Sequence, residues 1–242
     1  MYRGEFKSHL EVFHGKIAAF KENPAKKDEQ LDEYFKFFAH ISSVYKEDIA
    51  DYLCNEFVNV LQQYYSIMNP HMRLSLVTCL KIMRGKDVVS PSVVLPVLFK
   101  LFRCEDKHLR KFLHSVIVTD MKKLNEKCKV ININRKLQNF IYTMIQDQNE
   151  GAARRSLSVM IELYKRRIWN DEKTVNVISE ACFNTNPKVI VAACKFFLIL
   201  DYDHDSEDES SDDENTKIKL LKQRKGSKMT KNREQKLDTA IK

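Results

Sequence analysis

Three clusters of cations are the residues best placed to do chemistry. Arg154-Arg155 stands near the start of an apolar helical pattern and Lys165-Arg166-Arg167 at its end, while Lys122-Lys123 closes an earlier one. Guanidinium and ammonium groups bind phosphates and carboxylates through charge-assisted hydrogen bonds. Cations in a last helical turn also complement the helix dipole, which accounts for Lys122-Lys123 and Lys165-Arg166-Arg167 without any partner. The dipole does not account for Arg154-Arg155, which sits at the opposite end. The other reading gathers these groups into one face that meets RNA phosphates or an acidic protein.

Two more patterns lie near the C-terminus. Residues 201–214 read DYDHDSEDESSDDE, with nine carboxylates and no Lys or Arg. Within it Ser206, Ser210 and Ser211 each have an acid three residues on, the spacing an acidophilic kinase such as casein kinase two requires. Each phosphate would add roughly −1.5 to −2 charge at neutral pH. The block that follows carries Lys222, Arg224, Lys225, Lys228, Lys231 and Arg233, a candidate nuclear or nucleolar localisation signal.

No catalytic pattern accompanies these charges. Five glycines build no G-x-x-x-x-G-K-[ST] loop and no G-x-G-x-x-G, and there is no G-x-S-x-G elbow. Cys104 and His108 lie four residues apart with His114 further on, but a metal site wants more ligands at helix-compatible spacing. The six cysteines are dispersed without C-x-x-C and read as reduced core residues. No apolar run approaches bilayer length. The chain therefore reads as soluble, intracellular and non-enzymatic, with no cofactor, metal, membrane or small-molecule substrate expected.

Charge and patterning say what must position the cations. The chain has 242 residues, 43% of them hydrophobic, with only 5 Gly and 5 Pro, too few turn residues for an all-β fold of this length. The formal net charge of +8 is uneven: residues from Asp201 on are nearly balanced, so the body carries the excess. A basic body suggests polyanionic partners. About ten helices follow from apolar spacings of three and four. Leu31, Phe35, Phe38, Ile41 and Tyr45 make one stripe over about Asp28 to Tyr45, and Ile49, Leu53, Phe57, Val60, Leu61 and Tyr64 make the next. Asn69-Pro70, Ser90-Pro91 and Asn186-Pro187 pair a cap with Pro at the first helical position, Asn170 or Asp171 caps another helix, and Gly85 marks a stop. Pro96 predicts an irregular first turn in the fifth helix.

The second helix of each pair recurs. Arg73-x-x-Leu76, Arg110-x-x-Leu113, Arg154-x-x-Leu157 and Lys188-x-x-Val191 each open an apolar helix, at spacings of 37, 44 and 34 residues. Irregular self-similarity in this range predicts an all-α, HEAT/armadillo-like α-solenoid of stacked helical pairs. The expected organisation is a solenoid over 1–200, an acidic disordered linker over 201–216, and a basic tail over 217–242, disordered or weakly helical.

Several segments carry a family resemblance. LFRCEDKHLRKFLHSVIVTDMKKLN (Leu101 to Asn125), LQNFIYTMIQD (Leu137 to Asp147), MIELYKRRIWNDEKTVNVISEACF (Met160 to Phe183) and VAACKFFL (Val191 to Leu198) resemble the severe-depolymerization-of-actin protein family. The resemblance implies a nucleolar helical-repeat factor that travels on pre-ribosomal particles. Such a factor acts in assembly of the large ribosomal subunit and its export from the nucleus, without catalytic residues. The actin phenotype in the family name reads as indirect. Family members begin earlier and continue past the acidic tract, so the chain reads as a portion or a shortened form of such a protein. A second possibility, a nuclear transport adaptor that grips protein cargo or a carrier, stays open beside the scaffold on pre-ribosomal RNA and proteins.

Overall fold

The computed structural model describes residues 3–127 and 131–198, all within one compact unit, Met1–Asp201. Ten α-helices and one 3-10 turn make up the described residues, with no strand among them. They are α1 (Arg3–Glu22), α2 (Glu29–Ile41), α3 (Lys46–Tyr64), α4 (Pro70–Gly85), α5 (Pro91–Lys100) with the 3-10 turn Leu101–Arg103, α6 (Lys107–Lys127), α7 (Ile131–Ile145), α8 (Glu150–Lys165), α9 (Glu172–Ala181) and α10 (Pro187–Phe197).

Consecutive helices form five antiparallel pairs that stack in order. The even helices make one layer, α2 on α4, α4 on α6, α6 on α8 and α8 on α10. The odd helices α3, α5, α7 and α9 stack likewise in the other layer. No single pair buries its apolar stripe alone, so each repeat is completed by its neighbours. This is the expected all-α solenoid. At the first repeats the seam is aromatic. Phe13, Phe35, Phe38 and Phe57 are fully buried. Their rings meet tilted or edge-on, with Phe13 and Phe38 centroids 4.8 Å apart and Phe35 and Phe57 centroids 5.3 Å apart. Such pairs contribute about 0.5–1.5 kcal/mol each beyond burial.

The helix starts follow the sequence. Asn69, Ser90 and Asn186 cap α4, α5 and α10, each with Pro at the first helical position. Asp171, not Asn170, caps α9 by accepting from Thr174 N. Helix α5 runs unbroken through Pro96, because Val94, Leu95, Val97, Leu98 and Phe99 are buried at 2% exposure or less. Gly85 is the last residue of α4, but the left-handed residue is Asp87 (φ 54°), after which Val88 N donates to Met83 O at 3.0 Å. The second helix stops at Ile41, short of Tyr45. There Ser42 Oγ turns back to Ala39 O at 2.8 Å and the Tyr45 ring leaves the stripe to stack on Phe6 at 4.3 Å.

At two of the four repeated positions the arginine of Arg-x-x-Leu fastens its helix to the loop before it. Arg73, 7% exposed, donates to Tyr65 O, and Arg110 donates to Cys104 O at 2.8 Å. Arg73 also reaches forward, to Cys104 Sγ at 3.8 Å and Asp106 at 3.9 Å in the next repeat. Similar ties recur wherever loops within pairs face one another. Asn69 N donates to Pro24 O at 3.1 Å, Arg103 pairs with Asp147 at 2.6 Å, Asn184 Nδ2 donates to Ile145 O at 3.1 Å, and Lys188 meets Glu150 at 3.5 Å. That edge of the stack is therefore stitched at all four junctions between repeats.

Candidate functional site

The opposite edge carries the connections between pairs, and here two of the three cation clusters converge. Lys122 of α6 and Arg166-Arg167, just beyond α8, line one open cleft of about 700 Å³. Helix α7 adds Arg135, which with Lys136 forms a basic pair inside the helix that the sequence reading did not single out. Four cations and two carboxylates, Glu126 and Asp171, thus face one space.

Each wall is set by local structure. Helix α8 ends in a reversal in which Arg167 adopts φ 57°, Arg167 N donates to Tyr164 O at 2.9 Å and Ile168 N to Leu163 O at 2.9 Å. This is the turn that glycine usually makes, because a side chain in the left-handed region costs roughly 1 kcal/mol. The reversal drives Trp169 into the protein, 3% exposed, where it forms part of the cleft wall. Its indole Nε1 is buried and meets no hydrogen-bond acceptor. Across the cleft Asn134 Nδ2 donates to Asn125 Oδ1 at 2.7 Å, while Asn134 Oδ1 accepts nothing.

The two carboxylates differ. Asp171 is occupied: it accepts from Thr174 N at 3.0 Å, Thr174 Oγ1, and Gln138 Nε2 at 2.8 Å. Partial burial acts to raise its pKa, but the bonds from Thr174 and Gln138 prevail and hold the carboxyl below the usual range. Asp171 therefore stays ionised near neutral pH and locks α9 to α7. Glu126 lies 3.6 Å from Lys122 on an exposed helix face, a contact of little strength in water. Arg166 leans on Glu162 at 2.5 Å, also at the surface. These pairs hold the cations in place without burying them.

The third cluster does not belong to this face, which corrects the sequence expectation. Arg154 and Arg155 are 5% and 3% exposed. Helix α8 is enclosed by α6, α7, α9 and α10, so its residues from Ala152 to Ile161 are all interior. Helical position decides this: a pair of arginines on the central helix of the stack has no solvent side to point to. Lys123 is also separated from Lys122. It lines a cavity of about 80 Å³ with Lys81 and with Arg84, whose guanidinium grips Asp120 at 3.0 and 3.1 Å. Lys165 is exposed but forms no wall of the cleft. Ser206, Ser210, Ser211, Lys222, Arg224, Lys225, Lys228, Lys231, Arg233 and the proposed tail boundaries lie outside the described residues.

Other chemistry is sparse. Among the described residues no three His, Cys, Asp or Glu side chains gather as a metal site. Burial pushes the Cys79 thiol up to about 12, and burial likewise raises Cys104 despite the nearby Arg73. Thiols so protonated are poor nucleophiles. No helix among the described residues is long and apolar enough to cross a membrane.

Comparison with known proteins decides the family. The model of the family described as SDA1, HEAT repeat matches residues 37–242. The chain belongs to the SDA1 family. It is 40% identical over 216 residues to a Protein SDA1 homolog of Nematostella vectensis, covering 89% of this chain and 31% of that protein. To a Protein SDA1 homolog of Xenopus tropicalis it is 44% identical over 197 residues, 81% of this chain and 28% of that one. Similarity to Protein sda1 of Schizosaccharomyces pombe falls to 27% but spans 96% of the chain. The chain thus spans about a third or less of the length of the first two relatives. Within SDA1 terms, the cleft is a feature of the HEAT-repeat region.

Proposed function

We propose that this SDA1-family chain is a non-enzymatic scaffold in assembly of the large ribosomal subunit and in export of pre-ribosomal particles from the nucleus. It works in the nucleus and nucleolus, bound to precursor RNA and assembly proteins. The observation that carries this reading is the open basic cleft of Lys122, Arg135, Arg166 and Arg167 on a HEAT-repeat stack. A stack of pairs offers long surfaces suited to extended partners, and exposed guanidinium groups suit phosphate. Family membership supplies the rest, through the role that the resemblance of Leu101 to Leu198 implies.

The experiment is affinity purification of the tagged chain from growing cells, with bound RNA and proteins identified. Precursors of large-subunit ribosomal RNA with their assembly proteins are the expected yield. Recovery of transport carriers without ribosomal precursors would replace the scaffold with the adaptor reading.

A further inference from the structure

We infer that the cleft walled by the end of α6, the start of α7 and the turn after α8 is a site for the sugar-phosphate backbone of single-stranded RNA, with Trp169 in its wall. The inference deepens the scaffold reading and rests on it only for RNA being the biological ligand.

Three independent observations meet here. The first is charge: Arg135, Arg166, Arg167 and Lys122 come from three separate elements and face one space. Guanidinium forks match phosphate oxygens two at a time. The second is backbone conformation. Arg167 occupies a left-handed position (φ 57°) where glycine is the unstrained residue, so the chain carries a charged side chain at a place that local folding would give to glycine. The third is the place of Trp169. It is 97% buried and walls the cleft, with Nε1 sealed from solvent, so the ring senses what fills the cleft without bonding to it.

The exposed groups define the partner. It must present acceptors to Lys122, Arg135, Arg166 and Arg167 and a donor to the carboxylate of Glu126. A ribose-phosphate unit does both, through its phosphate oxygens and its 2′-hydroxyl. The 2′-hydroxyl is the donor that suits Glu126, whereas carboxylate side chains carry no donor for it. A cleft of about 700 Å³ holds a short stretch of strand and is far too small for a duplex. Hydroxyl recognition predicts a preference for RNA over DNA of the same sequence.

The chain holds a single tryptophan, so its fluorescence reports on this cleft alone. The test titrates the whole purified chain with a short single-stranded RNA and follows Trp169 emission. A saturable change is expected, weaker with the matching DNA and falling with salt at a log–log slope near −0.7 per phosphate held. Arg166→Ala and Arg135→Ala should each weaken binding about three- to tenfold and flatten the salt slope, while Lys188→Ala on the stitched edge changes affinity less than about twofold. Arg167→Gly should weaken binding similarly while suiting the turn better, which separates lost contact from lost folding.

Emission that ignores RNA, or cleft variants no worse than Lys188→Ala, would overturn the inference. So would poly-glutamate moving Trp169 emission as strongly as RNA, because the site would then be one for acidic protein. If the emission response holds but the chain recovers no ribosomal precursors from cells, the scaffold reading falls and the RNA site stands. Recovery of precursors with no emission response means the reverse.

Discussion

The two edges of the stack solve different problems with the same residue types. On the edge that joins helices within pairs, Arg73, Arg103 and Asn184 each reach a neighbouring loop, and their charges and amides are consumed by Asp106, Asp147 and a carbonyl oxygen. On the edge that joins one pair to the next, Arg84 is likewise consumed by Asp120. Beyond it the pattern changes, and Arg135, Arg166 and Arg167 stand exposed around open space. Arg73, Arg84 and Arg103 each meet a carboxylate of the adjacent repeat, whereas the carboxylate that Arg166 meets, Glu162, lies on its own helix. Charge on its own predicts neither arrangement.

Four substitutions press on that contrast. The largest effect is expected at Arg73→Ala, which removes a nearly buried guanidinium and its bonds to Tyr65 O and Asp106. A loss of about 2–4 kcal/mol is expected in denaturant unfolding, with RNA affinity unchanged. Reduced RNA affinity in the still-folded variant would break the division of labour. Asp147→Ala comes next, since it unties Arg103 and frees Asn149 N. A loss of about 1–2 kcal/mol by the same measurement is expected.

Asp171→Ala bridges the two edges' roles, because the residue caps α9 while walling the cleft. Loss of the cap should cost about 1 kcal/mol. The pH dependence has a definite sign. The folded carboxyl titrates below its ordinary value, so its stabilising effect is complete above about pH 4 and disappears as pH falls through the lowered folded pKa. The gap in unfolding midpoint between wild type and variant should accordingly narrow toward about pH 3. A gap that stayed constant would deny the carboxylate its charge-dependent part.

The smallest effect on folding is expected at Arg167→Gly, and it should be favourable. Relief of the left-handed strain contributes up to about 1 kcal/mol, offset in part by the greater freedom of glycine in the unfolded chain. Thermal unfolding measures it. A clear destabilisation would mean that the Arg167 side chain holds the turn, and would move it to the structural group with Arg73.

Much of the fold was legible in the sequence because its signals are local. The Phe35 and Phe38 stripe, the Asn-Pro and Ser-Pro starts and the recurring Arg-x-x-Leu all act within a turn or two of helix. The stop at Ile41 was not legible, since it depends on Tyr45 finding Phe6, far away in the chain. The cleft was half visible. Lys122 and Arg166-Arg167 announced themselves as clusters at helix ends, whereas the pair Arg135-Lys136 lies inside a helix and only Arg135 of it reaches the cleft, through the stacking of α7. Arg154-Arg155 shows the opposite failure. The same dipeptide that reads as a surface patch becomes interior when its helix is enclosed on every side, and enclosure is a property of the neighbours. Trp169 carried a usable signal, a lone tryptophan two residues after an arginine pair, but its burial in the cleft wall appears only in three dimensions.

The stitched edge has a mechanical consequence. The other margin is joined too, by the chain running from pair to pair and by Lys86 on His40 O, Arg84 on Asp120 and Gln138 on Asp171. A strip laced along both margins resists stretching on either side, so a pull at one end passes to the other with little change of curvature.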